Sequence, residues 1–181
     1  KVLGPSIEAA ARYGELYLSV QKTTLAEVHQ VRTLLEPSLI HLLATDPRSP
    51  RLKALRDCVE REQESLRLGD YSATIAALND FHRLLNRLSR NHALNLLAGI
   101  IEAIPTKIYA RLLATGAART QLAFKRRTNA SVKAHAKVVE LILAGRDREA
   151  ETFWRAYQTE TAAFLEKSGL AQLRIPLALA P

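Results

Sequence analysis

Four polar side chains occupy positions where a helical chain places its apolar ones. His82, in "LNDFHRLLNRLSRN" (78–91), comes four residues after Leu78 and three before Leu85. His135 belongs to the series Val132, His135, Val139, Ile142, and Tyr157 to Ala150, Phe153, Tyr157, Phe164. Arg32 falls among Val28, Val31 and Leu35, with Glu36 one turn further on. Residues three and four apart share a helix face, so all four are expected to point inward. Two imidazoles, a phenol and a guanidinium can donate to a carboxylate, carbonyl or hydroxyl. The spacing therefore predicts a polar cavity in which Arg32, His82, His135 and Tyr157 hold a ligand, with Leu78 and Phe81 as apolar wall. Each residue also has a plainer explanation: a satisfied core histidine, an Arg32–Glu36 pair at helical spacing, a core tyrosine with its hydroxyl at the edge. A buried polar group without a partner costs several kcal/mol, and convergence from distant segments is what favours the cavity.

The elements that must position these groups are helices. Thr24 and Glu27 form a capping box ahead of "LAEVHQVRTLLE", and Pro37 is expected to kink or break that helix. Ser49-Pro50 reads as an N-cap with a first-turn proline, opening a helix with Leu52, Leu55, Val59 and Leu66 inward. Gly69 and Asp70 separate it from a helix striped with Leu78, Phe81, Leu85 and Leu88; Asn91 caps another that runs to Pro105. Residues 114–121 read as a loop, a helix runs from about Thr128 to Ala144, and Asp147 starts the last long one. "LRIPLALAP" is irregular but apolar and is expected to pack. No strand periodicity occurs. The fold class is all-α, an antiparallel bundle of six to eight helices. The segments around Gly69-Asp70 and Gly145-Arg146-Asp147 echo one another, as two similar hairpins or as a common turn solution.

Composition narrows the classes. The chain of 181 residues is 48 % hydrophobic and 24 % charged, the balance of a single globular domain. No apolar run approaches the ~20 residues that cross a bilayer, so no membrane role and a cytoplasmic location are expected. One cysteine, Cys58, leaves no internal disulfide. The net charge of +8 comes from scattered basic residues, except for Lys125-Arg126-Arg127, which has no interleaved aromatics to stack on single-stranded nucleic acid. The chain begins at Lys1 and has no methionine, which reads as a piece of something longer.

"EVHQVRTLLEPSLIHLLA", "FHRLLNRLSRN" and "HAKVVELILAGRDREAE", in that order, resemble the FCD effector domain of GntR-superfamily transcription regulators, FadR branch. The resemblance runs from about residue 24 to 168. It divides the chain into a connector and first helix (1–23), the effector and dimerisation domain (24–168) and an apolar tail (169–181). It implies a homodimer around a small-molecule cavity, acting on operator DNA through an N-terminal winged helix-turn-helix absent from this chain. Many members hold a divalent metal through an aspartate, the FH histidine and two more histidines. Carried over, the two central positions are His82 and His135, but the aspartate position is Leu78 and the last histidine position is Tyr157. Asn79 is a weak substitute, and Asp80 is turned about 200° from His82. Zinc sites normally use three or four protein ligands, so no cofactor is expected, although zinc or nickel could occupy His82 and His135 at low level.

The expected function is ligand sensing and dimerisation for a transcription regulator, with a small organic acid or an apolar acyl compound as effector, and no enzyme activity. The alternatives are a structural interaction bundle, or a small metal-dependent enzyme using His82 or Cys58.

Overall fold

The computed structural model describes residues 7–115 and 118–175. Seven helices follow in order: α1 (Ile7–Val20), α2 (Leu25–Ala44), α3 (Lys53–Arg67), α4 (Tyr71–Leu88), α5 (His92–Thr115), α6 (Ala118–Leu143) and α7 (Asp147–Lys167). The fold class is thus all-α. The described residues contain no strand, only an isolated antiparallel bridge between Thr24 and Arg174. No described helix is long and apolar enough to cross a membrane.

Local chemistry sets most of the ends. Thr24 Oγ1 accepts from Glu27 N at 3.3 Å and Glu27 returns the bond to Thr24 N, closing the capping box. Asp70 accepts from Ala73 N at 2.9 Å, and Asn91 from Ala93 N and Leu94 N at 3.0 and 3.1 Å. Gly69 and Gly145 end α3 and α6 at φ +74° and +69°, conformations that cost a side chain about 1 kcal/mol or more. In both, the glycine N–H returns three residues and the next N–H five, a Schellman cap. Gly169 ends α7 with the same bonds, although no described helix follows it. The sequence echo is thus explained by a common turn.

Several expectations change. Pro37 does not break α2 into two elements: the helix runs on to Ala44, with Glu36, Leu39 and Ile40 buried on both sides of the missing N–H. Pro105 likewise lies inside α5, flanked by buried Ile104 and Ile108. Packing on both sides outweighs one lost hydrogen bond. Of the loop expected at 114–121, residues 116–117 lie outside the described residues and the remainder is helical. α6 starts at Ala118, ten residues before the expected Thr128, in an alanine-containing stretch that favours helix. Ser49 makes no side-chain cap; Pro50–Leu52 form a 3₁₀ turn and α3 starts at Lys53.

α2 packs along α7, α3 along α4 and α1 along α5, with α6 reaching α2, α3, α4 and α7. One core cluster joins Ile40, Leu55, Phe81, Leu85, Ile142 and Trp154; a second joins Leu25, Val28, Ile104, Ile108, Leu165 and Ile175. The apolar tail does pack, as far as it is described. Leu25 N and Ala26 N, orphan donors at the start of α2, bond to Leu173 O and Ala171 O at 2.8 and 3.1 Å. Residues 176–181 lie outside the described residues.

Candidate effector pocket

α2, α4, α6 and α7 surround an interior cavity of about 60 Å³, room for a few waters. α2 contributes Arg32; α4 contributes Leu78, Asn79 and His82; α6 contributes Arg127, Ser131 and His135; α7 contributes Tyr157, Gln158 and Thr161. Five of the six side chains expected to form a ligand pocket therefore share one wall. Phe81 lies a layer behind, fully buried and stacked on His135 with ring centroids 4.0 Å apart.

Glu36 organises one side. Its Oε1 accepts from Arg32 Nε at 2.8 Å, and its Oε2 accepts from Trp154 Nε1 at 2.9 Å and from Gln158 Nε2. His82 Nδ1 lies 2.9 Å from Glu36 Oε1, close enough for strong attraction but out of line for a hydrogen bond. Burial alone would push the Glu36 carboxyl up, but the Arg32 guanidinium and His82 hold it well below the usual carboxylate range. Burial, helped by the Arg32 charge, lowers His82 to about 3 against the pull of Glu36. The ring is therefore neutral. With a carboxylate oxygen beside Nδ1, the proton belongs on Nδ1 and Nε2 is left as a lone pair.

Glu62 organises the other side. His135 Nδ1 donates to Glu62 Oε1 at 2.9 Å, with both side chains wholly enclosed. His135 Nε2 and Asn79 Nδ2 are buried without a partner. The imidazole planes stand nearly perpendicular, their centroids 5.0 Å apart. Tyr157 Oη donates to Ser131 Oγ at 2.9 Å. Arg127 lies over the Tyr157 ring, 4.7 Å from its centroid, and donates to Thr161 Oγ1. No described acidic side chain pairs with Arg127, and its Nε is buried without a partner.

The donors expected to face a ligand are thus largely engaged within the protein. Arg32 turns to Glu36 and Tyr157 to Ser131. Arg127 keeps an unbonded N–H, and Asn79 an unbonded amide. The sequence reading passed over Arg127 as part of a surface cluster, yet it lies one turn before Ser131 and two before His135, on their face. Glu62 sits three after Val59 and four before Leu66, a core position in the α3 stripe. Trp154 and Gln158 follow Ala150 at steps of four, one residue away from the register assigned to Phe153.

These residues do not fit a divalent cation. The two Nε2 atoms are the only imidazole donors on the wall, and Asn79 adds at most a neutral oxygen. Glu62 already takes His135 Nδ1, and Glu36 takes Arg32, Trp154 and Gln158. Leu78 brings no donor, Tyr157 is covered by a guanidinium, and Arg127 adds positive charge. No three His, Cys, Asp or Glu among the described residues gather as a metal group. A site needs three or four ligands of suitable charge.

Nor does Cys58 offer a nucleophile. It is fully buried, its Sγ donates to Ala77 O at 3.4 Å, and burial pushes the thiol up to about 12.

No curated protein and no solved structure matches the chain. A family profile described as FCD domain matches residues 27–159, a span that begins two residues into α2, encloses Arg32, Glu36, Glu62, His82, Arg127 and His135, and closes beyond Tyr157 in α7. With most of its length and most of the pocket lining inside that match, the chain belongs to the FCD family, consistent with a regulatory effector domain of the GntR type.

Proposed function

We propose that this domain senses a small organic carboxylate without a metal, and that its occupancy sets the DNA binding of a regulator to which it belongs. The observation that carries the reading is Arg127: a guanidinium on the wall of an internal cavity, with an unbonded N–H and no acidic partner among the described residues. An anion there gains charge-assisted hydrogen bonds in a low-dielectric setting. The lone pairs of His82 and His135 accept from a ligand hydroxyl. A volume of about 60 Å³ favours an acid of a few carbons over a long acyl chain, since drug-sized sites are roughly 300–1,000 Å³. Regulation requires that the acid bind two arrangements of the domain unequally. In a homodimer, that difference would reposition winged helices on an operator. Arg32–Glu36, His135–Glu62 and Tyr157–Ser131 also favour a structural reading, because each satisfies its own polar groups.

Thermal shift with two- to four-carbon carboxylates, with and without chelator, separates the two. A matching acid at about 100 times its Kd adds about 2.7 kcal/mol, roughly 5–10 °C in Tm for a chain of this size. The shift should survive chelation and disappear in Arg127→Gln. Loss of the shift on chelation, its retention in Arg127→Gln, or no response to any acid would each sink the proposal, the last in favour of a structural bundle.

A further inference from the structure

A larger hollow of about 510 Å³ opens between α3, α4 and α5, on the other side of Asn86 from the pocket. Arg61, Arg83 and Arg87 line it, with Asp80 on the rim and Asn86, Asn95 and Glu102 towards its floor. Asp80 pairs with Arg83. Arg61 donates to the backbone carbonyl of Asp57 at 3.3 Å, and no described carboxylate lies within ion-pair distance of Arg61 or Arg87. Glu102 is buried and accepts from Asn86 Nδ2. Burial pushes its carboxyl up to about 8, leaving it mostly protonated at neutral pH. Two guanidiniums without an ion-pair partner among the described residues, beside a third that is paired, thus face one concavity. Asn95 Oδ1 is buried there without a donor.

We propose that this hollow is a second ligand site, taking a small phosphate monoester, with its phosphate on Arg61, Arg83 and Arg87 and a hydroxyl donating to Asn95 Oδ1. A phosphate monoester brings nearly two negative charges and three acceptor oxygens at neutral pH, and the guanidinium fork bonds such oxygens in pairs. The volume falls within the range of small-molecule sites, unlike the inner pocket. α4 runs past both, giving His82 to the inner pocket and Asn86 to this hollow. Asn86 Nδ2 donates to the backbone carbonyl of His82 at 2.8 Å and also to Glu102 Oε1. An occupant of the hollow would therefore press on the side chain that braces His82.

Arginine modification by phenylglyoxal, mapped by peptide mass spectrometry, tests this with inorganic phosphate and glycerol 3-phosphate as probes. At ten times its Kd, glycerol 3-phosphate should slow labelling of Arg61, Arg83 and Arg87 about tenfold. Arg148 and Arg155 on α7 should label as they do in chloride of equal ionic strength. Inorganic phosphate should protect the same residues more weakly, because it lacks the group that meets Asn95. The Arg61→Gln/Arg87→Gln variant, altered only at exposed positions, should keep its Tm and lose protection of Arg83. Arg127→Gln should keep protection in full, which separates this site from the inner one. Uniform protection of every exposed arginine, protection by succinate but not by phosphate esters, or no protection would each overturn the proposal.

Discussion

The shifted pKa values of three buried groups predict a stability maximum near pH 6.5. Burial, with Arg32 adding to it, lowers His82 from 6.5 to about 3, and lowers His29 from 6.5 to about 4. Burial raises Glu102 from 4.5 to about 8. Between pH 4.5 and 6.5 the unfolded chain takes up protons on both histidines that the folded chain refuses. Over the same window the folded chain keeps a proton on Glu102 that the unfolded chain has lost. The unfolded state therefore binds a net excess of one proton, so stability is lost as pH falls through this window, by at most about 1.4 kcal/mol per unit. Above pH 6.5 only Glu102 contributes. The folded state then holds the extra proton, and stability falls as pH rises towards 8 at a similar slope. Urea denaturation at pH 5, 6.5 and 8 measures both limbs. Glu102→Gln should flatten the alkaline limb and steepen the acid one to about 2.7 kcal/mol per unit, and His29→Gln should nearly level the acid limb. Equal stability at pH 5 and 6.5 in the unmodified chain, or an alkaline decline that persists in Glu102→Gln, would refute this account.

The remaining predictions concern single contacts. Glu36→Gln removes the charge facing Arg32 and presents an amide to surrounding donors, so it should cost about 3–5 kcal/mol, read as a fall in Tm of roughly 6–20 °C. Leu78→Asp with Tyr157→His adds an acid and a third imidazole to the wall beside His82 and His135, and calorimetry should show zinc or nickel binding that the parent chain lacks. Cys58 should not react with a disulfide reagent until denaturant is added; rapid labelling of the native protein would contradict its burial.

The fold was legible because its signals are local. Thr24 with Glu27, Asp70, Asn91 and the glycines at 69, 145 and 169 each determine an end through their own hydrogen bonds or φ. Pro37 and Pro105 misled because the forces that keep those helices continuous come from other elements. Four of the polar side chains read as inward do meet, since spacing of three and four reports a face. Their partners were harder to see. Glu62 sits on the α3 stripe with no visible reason until His135 arrives from 73 positions away, and Arg127 looks like surface charge until Tyr157 lies beneath it. Sequence spacing shows which residues share a helix face but not which residue on another helix lies opposite.

The short antiparallel contact at Thr24 and Arg174 closes the chain into a loop. Ile175 N bonds to Thr23 O and Leu25 N to Leu173 O, tying the end of α7 to the corner between α1 and α2. α7 also carries Tyr157, Gln158 and Thr161 on the cavity wall. A lengthwise shift of α7 would therefore reach the corner between α1 and α2 through a tether of eight residues, 168–175, whose Leu170, Ala171 and Ile175 are buried in the second core cluster. The tail thus stitches the last helix of the bundle to its first corner.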